Sequence, residues 1–287
     1  MNVREISRYV VSPLLNPLRL PVSWAGQHGY LPDRVRRILP WRWALQPFRI
    51  YGPGWTLAWC PTEFDSIGHR LFWAGLRRWE AETVSTMLRL LGESYCFIDI
   101  GANCGIYSLL GAIVNPRLQV FAIEPAPPTY AALQRNIDVN RMGDRIVAVN
   151  CALGNHNAMV PFHCAADATM SSLSVNGYRG QPGTIIQVPC RTLDSLVDEH
   201  CLKPDMLKID VEGFEHAVLM GARKALEDFR PRIVLEANPG DDNERVAGIL
   251  RDYGYTFYHI TGRGLEVHAE IFGVEEYRNW LCEVDRQ

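Results

Sequence analysis

Several carboxylates and two glycines in this chain stand at spacings that could hold and use a nucleotide-type ligand. Asp99, Gly101, Asn103 and Gly105 share the run Phe97-Ile-Asp-Ile-Gly-Ala-Asn-Cys-Gly105, an apolar stretch that ends in an acid and breaks into a glycine turn. Such a turn brings backbone close to a ligand and aims helix N–H groups at it. Asn103 stands where a dinucleotide fingerprint has its middle glycine, which admits a pyrophosphate. A ligand without phosphate, such as S-adenosylmethionine, is therefore expected. Glu124 ends the next apolar stretch, near the distance at which a ribose-binding acid belongs. Either acid alone could cap a helix; the pair at consecutive strand ends carries the reading.

Two later stretches end in oxygen-bearing residues: Leu207-Lys-Ile-Asp-Val-Glu-Gly213 and Glu236-Ala-Asn-Pro239. Carboxylates at such strand ends fall outside the sheet's carboxyl edge, beside the glycine turn of the first strand. Asp210 or Glu212 is the candidate to orient or deprotonate an acceptor, with Glu236 second; Asp210 is also a candidate to hold the sulfonium end of the cofactor. Glu212 could instead cap the helix that follows, and Lys208 is expected to pair with an acid. Asp210, Glu236 and Asn238 form an oxygen set that would suit Mg²⁺, with direct hydrogen bonding to acceptor hydroxyls as the competing use. His163 and His216 are weaker bases, and Thr169, Ser171 and Ser172 are candidate loop contacts. Pro189-Cys190 resembles a nucleophile dipeptide, but it falls on an expected strand, so Cys190 reads as core.

These residues need a scaffold. Strands are expected at 95–100, 118–123, 145–150, 205–210 and 232–236, with helices at 105–114, 127–140, 192–200, 214–228 and 242–253. The alternation predicts an α/β, Rossmann-like, doubly wound and mostly parallel sheet of seven strands with one antiparallel member. A closing hairpin is expected from 256–260 with 269–274. Between 150 and 188 the alternation fails: extra strands over 151–164, then a polar loop at 167–183 above the ligand edge. Residues 1–80 read as an accessory, acceptor-side segment before a catalytic domain at 81–287. The segment has a short helix over 3–15, a hairpin of 48–51 with 56–59 across Gly52-Pro53-Gly54, and one or two helices between 66 and 91.

Composition bounds the function. A net charge of −3 and pI near 6.2 offer nucleic acid no general grip. No apolar run reaches the length of a membrane span, no signal-peptide core opens the chain, and the eight cysteines show no metal spacing. A cytoplasmic protein with a reducing environment is expected, its oligomeric state open. Residues 1–50 carry eight Arg against Glu5 and Asp33, and seven of eight Trp precede residue 80. That segment could cover an acceptor site or touch an anionic surface; the reading preferred is a layer whose tryptophans pack on the main domain.

Together, Asp99-Ile-Gly-Ala-Asn-Cys-Gly105, Glu124-Pro-Ala-Pro127, Arg191-Thr-Leu-Asp194, Lys208-Ile-Asp-Val-Glu-Gly213 with Glu215, and Leu219-Met-Gly-Ala222 resemble the FkbM-type S-adenosylmethionine-dependent methyltransferases. The resemblance spans roughly 80–260. It implies a class I, Rossmann-like enzyme that methylates a hydroxyl on a sugar or secondary metabolite, with cofactor contacts at Asp99, Gly101, Asn103, Gly105 and Glu124. The partner implied is a small-molecule or carbohydrate acceptor. N-methylation of a small amine, an NAD-dependent oxidoreductase and a binding module without turnover are the alternatives.

Overall fold

The computed structural model describes residues 18–36, 39, 41–63, 65–165, 171–173 and 183–284. The expected helix over 3–15 and Thr169 lie outside them. Helix α1 (Arg19–Gln27), a short α2 (Asp33–Arg36) and a 3-10 turn (Trp41–Leu45) lead into strands β1 (Phe48–Gly52) and β2 (Trp55–Trp59). These two pair antiparallel across Pro53-Gly54, as the spacing predicts. Helices α3 (Ser66–Ala74) and α4 (Ala81–Glu93) follow.

Then comes the alternating body: β3 (Cys96–Ile100), α5 (Ile106–Val114), β4 (Gln119–Ile123), α6 (Pro127–Val139) and β5 (Ile146–Val149). A small separate sheet interrupts it, of β6 (Ala152–Leu153), β7 (Ala158–Ala165) and β8 (Gly183–Arg191). The body resumes with α7 (Leu193–Glu199), β9 (Met206–Ile209), α8 (Glu215–Met220), α9 (Arg223–Phe229), β10 (Arg232–Glu236), α10 (Asn243–Asp252), β11 (Tyr255–Thr261), β12 (Gly264–His268) and β13 (Asn279–Val284).

The large sheet has the order β12-β11-β13-β10-β9-β3-β4-β5. Strands β10, β9, β3, β4 and β5 run parallel, and β13 is antiparallel to both β10 and β11. The doubly wound sheet is thus present, with β12 added as an eighth, edge strand antiparallel to β11. The chain winds outward from β3 to β5 and returns to β9 and β10 on the other side. The order therefore reverses between β3 and β9, and the crevice above their carboxyl ends is where such sheets bind ligands.

The closing hairpin differs from expectation. Strand β11 turns tightly into 264–268, not 269–274, and β13 inserts between β10 and β11. An edge strand needs little apolar content, and β12 has little: Val267 is exposed and only alternate residues are part-buried. Segment 269–274 is apolar for another reason, since Ile271 plugs the core. The helix expected at 214–228 is two helices broken at Gly221-Ala222. A Cβ on Gly221 would sit 2.0 Å from the Gly154 carbonyl, and the Gly221 carbonyl accepts the Asp194 N–H at 3.0 Å. The Asp194 carboxylate caps α9 through the N–H groups of Lys224 and Ala225, and Thr192 caps α7.

Side chains alternate across the sheet. Phe97, Val120, Ala122 and Met206 enter one core, while Ile98, Ile100, Phe121, Ile123, Leu207 and Ile209 enter the other. The first core continues without a break into Trp43, Ile50, Leu57, Trp59, Phe72 and Trp79 of the N-terminal segment. Trp43, Trp59, Trp73 and Trp79 are buried in that core and Trp55 packs against it, with Trp24 left 44% exposed. Asn136 on α6 and Asn140, the residue that ends that helix, fasten the segment. Asn140 exchanges two 2.8 Å hydrogen bonds with the backbone of Ala58, and Asn136 accepts the Cys60 N–H while donating to the Cys104 carbonyl.

Candidate active site

A cavity of about 390 Å³ lies over the crevice between β3 and β9, a size that suits a nucleoside-type ligand. Gly101 (φ 77) opens the turn after β3, and a Cβ there would stand 1.9 Å from the Asp210 carbonyl. Only glycine fits that close approach. Gly101 and Ala102 donate to the Ile123 carbonyl, and Asp210 donates to the Ile100 carbonyl, so the loops continue the sheet's pairing into the cavity floor. Gly105 (φ 93) caps α5 against Leu133. Asn103, the residue in place of a middle glycine, is also left-handed (φ 51), a conformation asparagine tolerates.

Glu124 reaches across this turn. Its carboxylate accepts the Asn103 N–H at 3.0 Å and the Ala126 N–H at 2.9 Å. Burial raises its pKa to about 7, against the pull of those two donors. Asp99 is almost sealed, at 1% exposed. Its Oδ2 accepts from the Ser108 hydroxyl at 2.6 Å and its Oδ1 has no partner among the described residues. Burial raises the Asp99 pKa, and the charge of Lys208 opposes the rise.

Lys208 lies in register opposite Asp99, and both face α5. A lysine on a fully buried strand position requires a partner; it has one in Asp210, at 2.6 Å from Nζ, and sits 5.0 Å from the Tyr107 ring centroid. Tyr107 in turn donates to Glu80 at 2.8 Å. Glu80 borders the cavity at the left-handed start of α4 (φ 43), and desolvation raises its pKa although Lys208 opposes this. Glu80, Tyr107, Arg70 and Arg278 all line the cavity and were not foreseen. Arg70 and Arg278 come from helix and loop segments whose patterns carry no signal beyond amphipathicity.

The acids at the ends of β9 and β10 do converge. Asp210, Glu212 and Glu236 bring carboxylate oxygens within 4.8 Å of one another. Burial works to raise Asp210, but Lys208 beside it holds its carboxyl below the usual range. Glu236 hydrogen-bonds to Asp210 and is pushed well above the usual range by burial and then by that negative charge. The two carboxyls are thus driven in opposite directions, Asp210 towards its ionised form and Glu236 towards its protonated one. Glu212 is raised to about 9, by burial first and then by Asp210. Arg278 stands 3.8 Å from Glu236.

Other expected roles fall elsewhere. Glu215, not Glu212, binds the loop N–H groups of Val211 and Gly213 at the start of α8. Asn238 is fully enclosed, does not line the cavity, and has no partner for either side-chain polar atom among the described residues. Glu212 is the third carboxylate beside Asp210 and Glu236. His163 and His216 do not line the cavity. Ser171 does, and accepts the Ala165 N–H, whereas Ser172 is buried in a bridge to His163. Cys190 is a core residue at 3% exposed.

The chain is 27% identical over 178 residues (61% of this chain, 69% of the relative) to the hexuronic acid methyltransferase AglP of Haloferax volcanii. It is 28% identical over 187 residues (55% and 71%) to the 31-O-demethyl-FK506 methyltransferase FkbM of Streptomyces tacrolimicus. Among solved structures, the methyltransferase FkbM of Methylobacillus flagellatus KT superposes with a TM-score of 0.43 at 16% identity, covering 95% of this chain and 60% of that one. No helix among the described residues is long and apolar enough to cross a membrane. The methyltransferase FkbM domain matches residues 99–257, from the acid that ends β3 to the middle of β11, and the chain belongs to that family of methyl-transferring enzymes.

Proposed function

We propose that this chain transfers a methyl group from S-adenosylmethionine to a hydroxyl of a small-molecule or carbohydrate acceptor. The observation that carries the reading is one cavity in which a glycine turn and Glu124 face the acid cluster Asp210, Glu212 and Glu236. Relatives named for hexuronic acid, for 31-O-demethyl-FK506 and for 2-O-methylation support an oxygen acceptor. The residues suit the cofactor: glycine where a Cβ would clash, a buried carboxylate beside the turn, and acids to face a cation. When bound, the cofactor supplies an electrophilic methyl group on a sulfonium.

The chain's own groups do the rest. Gly101, Asn103 and Gly105 form the backbone cradle, and Glu124 takes the ribose hydroxyls. Asp210, kept ionised by Lys208, accepts from the acceptor hydroxyl and orients its oxygen for in-line attack. Glu236 donates to Asp210 and fixes that carboxylate's orientation. Glu212, pushed to about 9 and within 4.8 Å of Asp210, in its ionised form takes on the hydroxyl proton that Asp210 has accepted.

Asp210→Asn is expected to lower turnover by roughly 100-fold or more, the scale of a lost acid–base contact. Its affinity for S-adenosylhomocysteine by calorimetry should stay within a few-fold. Unchanged turnover would remove Asp210 from the mechanism. Turnover that persists in EDTA separates this route from a Mg²⁺-dependent one through the same three acids.

A further inference from the structure

The cofactor proposed above carries two positive charges, on its sulfonium and α-ammonium groups, and one negative charge on its α-carboxylate. The cavity wall has acids in excess for the first two. It has three cationic side chains for the third: Lys208, Arg278 and Arg70. Lys208 is 2% exposed and committed to Asp210 at 2.6 Å. Arg278 is committed to the Glu275 carboxylate at 3.2 Å and its carbonyl at 3.3 Å, and leans on Glu236. Arg70 has no hydrogen-bond or ion-pair partner among the described residues, although it borders a cavity rich in carboxylates.

Helix α3 explains why it stays there. Leu71, Phe72 and Trp73 anchor one side of the helix in the core, while Ser66, Ile67 and Arg70, at i, i+1 and i+4, line the cavity. The guanidinium is thus carried on a packed helix. Arg70 itself is exposed at the cavity's edge, and its planar fork of donors is the group best suited to a carboxylate.

We propose that Arg70 anchors the α-carboxylate of the methionine moiety of the cofactor, so that the N-terminal segment completes the cofactor site. This rests on the reading of the cavity as an S-adenosylmethionine site. Arg70 precedes the family-matched residues 99–257, so the family assignment alone does not single it out. The geometry also changes the accessory segment's role, from acceptor-side cover to a wall that the donor itself touches.

The test is calorimetry with two probes on the full chain: S-adenosylhomocysteine, and its decarboxylated analogue S-adenosyl-3-thiopropylamine. Arg70→Ala should weaken S-adenosylhomocysteine about tenfold or more, the worth of a charge-assisted contact, and leave the analogue within about twofold. Wild type should prefer the carboxylate-bearing probe, and Arg70→Lys should recover part of that preference. Equal weakening of both probes would mean a fold effect and overturn the proposal. So would unchanged S-adenosylhomocysteine affinity with only a raised acceptor KM, which would assign Arg70 to an anionic acceptor. Failure of wild type to bind either probe would instead sink the cofactor reading, and this proposal with it.

Discussion

Glu212 sits in a left-handed turn (φ 52) before Gly213 (φ 92), where the chain leaves β9 and its carboxyl faces two further acids. Burial and then Asp210 raise its pKa to about 9, so at neutral pH the base form is the minor one. If that form removes the acceptor proton, kcat should climb with pH from 7 and level off near 9. Glu212→Gln should flatten the climb, measured as a pH–rate profile. A profile of the variant that still rises in parallel with wild type assigns the proton to another group. The same shift has a thermodynamic side. Between the ordinary carboxyl value of 4.5 and about 9, the folded chain holds a proton that the unfolded chain has lost. Glu212 therefore favours folding below that window, and its contribution is lost as pH rises through it. Glu124 and Glu215, each raised to about 7 by burial, act in the same direction over the lower part of the range.

At the scale of elements, α6 acts as a bracket. Asn140 pairs with the Ala58 N–H and carbonyl as another strand would, giving β2 a partner on its outer edge. Asn140→Ala leaves both backbone groups without that partner and should cost about 1–3 kcal/mol, read as a lowered denaturation midpoint. No shift would mean that water replaces the amide fully. Element by element, what could be read beforehand depended on who supplies the neighbours. Strands β3, β4, β9 and β10 are apolar on both faces because helices cover both, and such runs declare themselves. Strand β12 at the edge does not, and 269–274 mimics a strand because Ile271 is a plug. The break at Gly221 depends on a carbonyl 67 residues earlier, at Gly154, which no local pattern reports. Asp99, Glu124, Asp210, Glu212 and Glu236 were legible because strand ends converge on one edge of a doubly wound sheet. Glu80 and Arg70 were not, since chain crossing alone brings α3 and α4 to that edge. Asn238 follows the same strand as Glu236 but is fully enclosed, with its backbone against Gly273.

For the molecule as a whole, the N-terminal segment and the sheet share one core, and the local excess of arginine is partly spent inside it. The Arg19 guanidinium binds the carbonyls of Trp43, Gln46 and Pro47, so it stitches chain to chain and does not present a patch to an anionic surface. Trp79 shows another consequence of that shared core. It is 4% exposed, its ring centroid lies 5.5 Å from that of Tyr107, and it also borders the cavity. Its indole is thus placed to respond optically to whatever enters, with no dye attached. Adding S-adenosylhomocysteine should alter the tryptophan emission, and Trp79→Phe should remove most of that signal while calorimetry still registers binding. An unaltered signal in Trp79→Phe would trace the light to one of the other seven indoles. The enzyme would then carry its own fluorescent gauge of donor occupancy, usable while the acceptor is still being sought.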